Sequence, residues 1–189
     1  MSATLDILDT QLLVFMANES KPWAVDIHEE VLGGDRIVFL PRYVATEVHQ
    51  VMKRNQGEEG VDIAWRHLTT LNETPAAVTP HPNRFRVNVH GVRNHATTRT
   101  LAAVCGVEPK DATILATAYR LTEFIERYDP PNHSREAIPR TPEEFRLKRL
   151  LAEVGVETIT ARILTNERNF IDTDSSSLGI GAVEVSRVP

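Results

Sequence analysis

Short apolar segments rich in β-branched residues alternate with longer segments of helical periodicity along most of this chain. A strand of about 4–8 residues followed by a helical segment is the pattern of a βαβ unit, whose strands run parallel. The predicted strands are Leu5–Asp9, Arg36–Leu40, Ala76–Thr79, Val156–Thr165 and Ile180–Val185. The predicted helices are Lys21–Gly34, Pro41–Arg54, Val61–Leu71, Thr97–Val104, Glu108–Glu126 and Pro142–Val154. The alternation predicts an α/β fold with a mainly parallel central sheet.

Length and composition favour a single domain covering residues 1–189. The 189 residues are 41% hydrophobic, which is enough for one sizeable core. Gln56–Gly60 is predicted to be a polar turn, and the prolines of Tyr128–Pro142 predict a surface excursion. No apolar run approaches about 18 residues, and no basic region precedes an apolar stretch at the N-terminus. We therefore expect a soluble cytoplasmic protein without a membrane span.

The distribution of charge leaves room for one basic patch. A net charge of −5 argues against a protein whose whole surface binds nucleic acid, but it allows a local site. From Thr74 to Val107 the sequence contains no acidic residue. The arginines of this stretch are Arg84, Arg86, Arg93 and Arg99. They form either an RNA-binding patch that contacts phosphates or a loop that neutralises an acidic neighbour.

Asp111 is a carboxylate on the predicted inward face of a helix. Pro109 occupies a first helical position, and Ile114, Leu115 and Ala118 follow Asp111 at the spacing of one apolar face. An aspartate in a first turn often serves only the helix terminus, where its charge meets the positive end of the helix dipole. Asp111 is therefore either a helix-terminus residue or part of a site.

Three further acids are predicted to lie near Asp111. Asp9 ends the first predicted strand, Glu167 follows the strand that ends at Thr165, and Glu47 lies beside the apolar stripe of its helix. In a parallel sheet the functional crevice lies beyond the carboxyl ends of the strands. Crowded carboxylates repel one another unless a cation neutralises them, and hard oxygen ligands select Mg²⁺ or Mn²⁺. The pattern predicts a divalent metal site, with a partly buried Glu47 paired to an arginine as the alternative.

Four short motifs carry a resemblance to a known family. They are Asp9-Thr10, Ala45-Thr46-Glu47-Val48, Lys110-Asp111-Ala112 with Ala116-Thr117-Ala118, and Leu164-Thr165-Asn166-Glu167-Arg168-Asn169-Phe170. In this order and spacing they resemble the acidic motifs of PIN-domain nucleases, including VapC-type toxins. The resemblance spans Leu5 to Val185, with residues 128–157 as an inserted loop and helix. Glu167 stands where the family usually has aspartate.

The resemblance implies a three-layer α/β/α PIN-like domain that acts as an endoribonuclease on the phosphodiester bonds of single-stranded RNA. It implies that Asp9, Glu47, Asp111 and Glu167 are the catalytic residues and bind Mg²⁺ or Mn²⁺. It also implies a toxin of a toxin–antitoxin pair, with an antitoxin protein and a second copy of the chain as candidate partners.

Two questions stay open at this level. Thr10, Thr165 and Asn166 either hydrogen-bond to the carboxylates and orient them or do no more than close turns. The chain is either the nuclease or a catalytically weakened RNA-binding or assembly module on the same fold. The glutamate at position 167 motivates the second hypothesis.

Overall fold

The computed structural model describes residues 2–84, 86–127, 138–156, 158–166 and 183–187. Its elements are, in chain order, β1 Ser2–Leu8, α1 Thr10–Ala17, α2 Pro22–Gly33, β2 Ile37–Phe39, α3 Arg42–Glu73, β3 Ala77–Val78, a 3-10 turn Pro82–Arg84, α4 Val89–Arg93, α5 Ala96–Cys105, α6 Pro109–Glu126, α7 Pro142–Val154, β4 Thr158–Thr165 and β5 Val183–Arg187. Strands alternate with helices as the sequence predicts, so the α/β class is confirmed.

The described strands form one parallel sheet in the order β3-β2-β1-β4-β5. Strand β1 is central, and its Leu5, Ile7 and Leu8 are fully buried. Crossovers between parallel strands are right-handed in nearly all proteins, and with this strand order that rule puts α1, α2 and α3 on one face and the helices leading to β4 on the other. The result is a three-layer α/β/α arrangement. The direction of winding reverses between β1 and β4. The carboxyl ends of these two strands therefore open onto a crevice.

Helix α3 differs from the sequence prediction of two helices separated by a five-residue turn at Gln56–Gly60. The helical segment continues through that turn, and the break is confined to Gly57, which has φ 65° and ψ −142°. Glycine adopts a positive φ without the steric penalty of a Cβ, so one residue is enough to redirect the helix. Beyond the kink, Gly60 lies so close to Met52 that a Cβ on Gly60 would be 2.3 Å from the Met52 carbonyl oxygen.

Replacing Gly60 with alanine should destabilise the fold, because the added methyl group meets backbone that cannot move independently. The expected loss is about 1–3 kcal/mol of unfolding free energy, the usual range for overpacking. Gly33→Ala is the matched control, since its Cβ would contact only the Asp35 side chain at 3.3 Å. Urea denaturation of both variants measures the difference. Equal unfolding free energies would contradict this packing of α3.

Elements beyond α3 agree with the sequence pattern to different degrees. Helix α7 spans Pro142–Val154 and ends at Gly155, as predicted. Strand β5 begins three residues after the start predicted at Ile180. Most of the excursion predicted at 128–142 lies outside the described residues. Within the described part of the chain, no helix is long and apolar enough to cross a membrane.

Candidate active site

Asp9 lies directly after β1, at the carboxyl end of the central strand. Its extended backbone makes it the N-cap of α1, and Oδ1 accepts a hydrogen bond from the Thr10 backbone nitrogen at 2.6 Å. Oδ2 accepts a hydrogen bond from the Thr165 hydroxyl at 2.8 Å. Thr165 is the last residue of β4, which pairs with β1. The hydrogen bond between Thr165 and Asp9 thus joins the ends of β4 and β1. Each oxygen of the Asp9 carboxylate accepts a hydrogen bond.

Glu47 lies in the second turn of α3 and is fixed by three donors. The Thr10 hydroxyl donates to Oε2 at 2.7 Å, and the Tyr43 hydroxyl donates to Oε1 at 2.7 Å. Arg93, at the end of α4, donates to the same Oε1 at 2.8 Å. The Glu47 side chain is only 17% exposed. The pairing of a partly buried glutamate with an arginine, which was the alternative at the sequence level, is therefore present in the structure.

Tyr43 and Arg93 form a hydrogen bond with each other beside Glu47. Burial raises the pKa of Tyr43 to about 12, and the hydrogen bond to Glu47 acts in the same direction. The Tyr43 hydroxyl therefore remains a donor at neutral pH. The hydroxyl also accepts a hydrogen bond from Arg93 Nε at 3.0 Å. That bond is the main reason why the pKa of Arg93 is raised, so the guanidinium keeps its charge.

Asp111 lies in the first turn of α6 with its side chain 15% exposed. Ile114, Leu115 and Ala118 are buried, which confirms that this face of α6 points inward. Lys110 Nζ lies 4.0 Å from Asp111 Oδ1. A position in the first turn suits a carboxylate because the helix dipole is positive there. The fold thus holds a negative charge on an otherwise apolar helix face.

Asp9, Glu47 and Asp111 line one cavity of about 510 Å³ together with Arg93 and Lys110. Three acids from distant parts of the sequence meet there with three cations, Arg54 being the third. The described residues nevertheless contain no group of three or more His, Cys, Asp or Glu side chains placed to hold a metal ion. In this arrangement, protein donors hydrogen-bond to both oxygens of Glu47.

The structure distributes the predicted RNA-binding arginines over different surfaces. Arg93 lies in the acidic cavity, while Arg84 and Arg86 line two other cavities that share Val87. Arg99 is exposed on α5. Arg93 thus lies among the carboxylates, and the RNA-binding role of the four arginines stays a prediction.

The remaining predicted residues lie at the end of β4 or beyond the described structure. Thr10 and Thr165 both donate hydrogen bonds to site carboxylates. Asn166 follows β4 directly. Glu167 lies outside the described residues.

Sequence reasoning missed Tyr43 and Lys110, which both help to build the site. Tyr43 lies four residues before Glu47, a spacing that brings two side chains together on one helix face. Lys110 directly precedes Asp111. Spacing and adjacency were available signals, but neither shows that Tyr43 contacts Arg93 or that Lys110 lines the cavity with Asp111.

The cavity brings together the two kinds of group needed for phosphate chemistry. Its carboxylates are hard oxygen ligands for a divalent cation, and Arg93 and Lys110 are cations suited to phosphate oxygens. Its hydroxyl donors, Thr10 and Thr165, hold the carboxylates in place. No protein-family model and no curated protein matches this chain.

Proposed function

We propose that the chain is a metal-dependent endoribonuclease that hydrolyses phosphodiester bonds of single-stranded RNA at the acidic cavity. The observation that carries the proposal is the convergence of Asp9, Glu47 and Asp111 on one cavity beyond the carboxyl end of β1. These are three of the four acids in the motifs that resemble PIN-domain nucleases, the fourth being Glu167. A role as a toxin, with an antitoxin or a second copy of the chain as partner, belongs to the same proposal and awaits its own test.

The donor types fit Mg²⁺ or Mn²⁺, which prefer carboxylate oxygens. Asp9 and Asp111 would hold the ion. Glu47 would join them once Arg93 leaves the Glu47 carboxylate and pairs with another anion. A bound ion of this kind lowers the pKa of a coordinated water and stabilises negative charge on phosphate oxygens.

The chain's own residues orient the acids and bind the substrate. Thr165 fixes Asp9, and Thr10 fixes Glu47, so neither carboxylate rotates freely. Arg93 and Lys110 carry positive charge into the cavity and would bind the phosphates on either side of the bond to be cut. An RNA phosphate is a natural competitor for the Arg93 guanidinium, because guanidinium binds phosphate and carboxylate oxygens by the same geometry. Substrate binding would thus separate Glu47 from Arg93.

The proposal is tested by incubating purified protein with single-stranded RNA in Mg²⁺, in Mn²⁺ and in chelator. We expect cleavage only with metal, and we expect Asp111→Asn to reduce it severely because one ligand loses its charge. Asp62→Asn is the matched control, since Asp62 is an exposed aspartate elsewhere on the surface. Absence of cleavage in either metal, or equal cleavage by both variants, would contradict the proposal.

Arg93→Gln should strengthen the response to metal, because it removes a positive charge and one of the two donors to Glu47 Oε1. Each kcal/mol of added binding energy raises the melting temperature by about 2–4 °C in a chain of this size. Thermal melts with and without Mn²⁺ measure the response, and Arg99→Gln serves as the control on an exposed arginine. An unchanged response in Arg93→Gln would show that Glu47 takes no part in metal binding.

A second candidate is an RNA-binding module without catalysis on the same fold. The ion pair between Glu47 and Arg93 favours it, because a carboxylate that is held by three donors is a poor metal ligand. This module would bind RNA equally well in chelator and in metal. Binding without metal-dependent cleavage distinguishes it from the nuclease.

A further inference from the structure

A second cavity, of about 670 Å³, lies beside the acidic cavity and has no role in the chemistry above. Its lining includes Trp65, His49, Lys53, Arg86 and Asn83. The Trp65 residue is 44% exposed, although tryptophan is among the side chains that gain most from burial. The His49 ring lies at a tilt to it, with 6.1 Å between ring centroids. This cavity therefore presents a large aromatic surface to solvent.

Helix α3 places the two cavities on neighbouring faces. Glu47 and Val51 line the acidic cavity, while Thr46 and Gln50 line the second one. Successive helical residues are about 100° apart around the axis and about 1.5 Å apart along it. Thr46 and Glu47 thus lie at nearly the same height on adjacent faces. A ligand long enough to cross from one face to the next would reach both cavities.

The charge of the second cavity suits an anionic ligand. Among the described residues that line it are two cations, Lys53 and Arg86, and no carboxylate. Lys53 pairs with Glu58 at 3.0 Å, but both side chains are largely exposed, so this ion pair is weak and a phosphate can compete with it. Gln50 and Asn83 add amide groups that can donate and accept hydrogen bonds. Cations, amides and a partly exposed aromatic ring together are the groups that bind nucleotides of a single strand.

We propose that this second cavity binds a nucleotide of the single-stranded RNA next to the bond that is cut, with its base stacked on Trp65 and its phosphate near Arg86. The inference rests on the proposed function, which identifies the bound strand as RNA. Stacking on an aromatic ring tolerates every base, so the cavity would hold the strand without choosing its sequence. A protein partner would also use an exposed tryptophan, and the experiment separates that case.

The test uses tryptophan fluorescence in a Trp23→Phe background, because Trp23 and Trp65 are the two tryptophans of the chain. Trp23 packs edge-on against Phe15, and phenylalanine preserves an aromatic contact there. The probes are RNA oligomers of about eight nucleotides and a matched ribose-phosphate oligomer without bases. All titrations are done in chelator, so that binding does not depend on the metal or on cleavage.

We expect RNA to quench Trp65 fluorescence and the abasic oligomer to leave it unchanged. Measured by a label on the RNA, Trp65→Leu should weaken binding by about tenfold, a typical loss for one stacked base. Phe145→Leu is the matched control, because Phe145 is 66% exposed on α7. Equal RNA affinity in Trp65→Leu and wild type, or equal quenching by the abasic oligomer, would overturn the inference and leave a protein partner for Trp65.

The two proposals fail in different ways. Quenching by RNA and weaker binding in Trp65→Leu, without metal-dependent cleavage, would support the second cavity and overturn the nuclease. Metal-dependent cleavage that is lost in Asp111→Asn, with RNA affinity unaffected by Trp65→Leu, would support the nuclease and overturn the second cavity.

Discussion

Asp9→Asn is expected to reduce metal-dependent RNA cleavage by more than about a hundredfold while leaving the protein folded. Changes to residues that merely support a metal ligand cost about 10–100-fold, and Asp9 is assigned as a ligand itself. Asparagine caps a helix about as well as aspartate, so the start of α1 should survive the substitution. The measurement is the cleavage rate of a labelled RNA in Mn²⁺, alongside the melting temperature.

A matched control separates charge from hydrogen bonding at this position. Thr165→Val removes the hydroxyl that donates to Asp9 Oδ2 and keeps the carboxylate. We expect a smaller loss of rate from Thr165→Val than from Asp9→Asn, because the ligand is still present but less well oriented. A larger loss in Thr165→Val, or a wild-type rate in Asp9→Asn, would contradict the assignment of Asp9.

Acidification is expected to destabilise the protein through His67. Burial lowers the pKa of His67 from 6.5 to about 3, and the charge of nearby His28 acts in the same direction. The unfolded chain takes up a proton near pH 6.5, whereas the folded chain resists it until about pH 3. The contribution of neutral His67 to the free energy of unfolding is therefore fully present above pH 6.5 and declines as the pH falls below that value. The loss is up to about 1.4 kcal/mol for each pH unit below that value.

The structure explains why His67 resists protonation. Its ring contacts the His28 ring at an angle of 56°, with 4.6 Å between centroids, and the described residues offer no hydrogen-bond partner to either Nε2. Urea denaturation between neutral pH and about pH 4 should show a much shallower loss in His67→Leu than in wild type. His90→Leu, at an exposed histidine, should follow the wild-type curve. Parallel curves for wild type and His67→Leu would show that other groups cause the acid sensitivity.

The convergence of the acids could be predicted because it follows from local rules. Asp9 ends a buried apolar strand and Asp111 follows a proline at a helix start, and parallel strands bring such positions to one edge. The kink at Gly57 could not be predicted to the residue, since Gly60 of the polar turn at 56–60 could equally have carried the break. The positive φ angle of Gly57 marks the position of the kink.

The electrostatics of the site could be predicted only in part. The sequence suggested an arginine for Glu47, but Arg93 lies 46 residues away and many arginines were available. Choosing among them requires the packing of α4 against α3, which no periodicity encodes.

The effect of Mn²⁺ on the melting temperature tests the metal site most directly. A cation that binds the cavity carboxylates in the folded state alone stabilises that state, so the account predicts a rise of about 5–10 °C in the melting temperature when the metal concentration is about a hundred times its dissociation constant. Asp111→Asn should respond less to metal, because it removes the charge of one ligand. A wild-type melting temperature that does not change up to millimolar Mn²⁺ or Mg²⁺ would contradict the metal site.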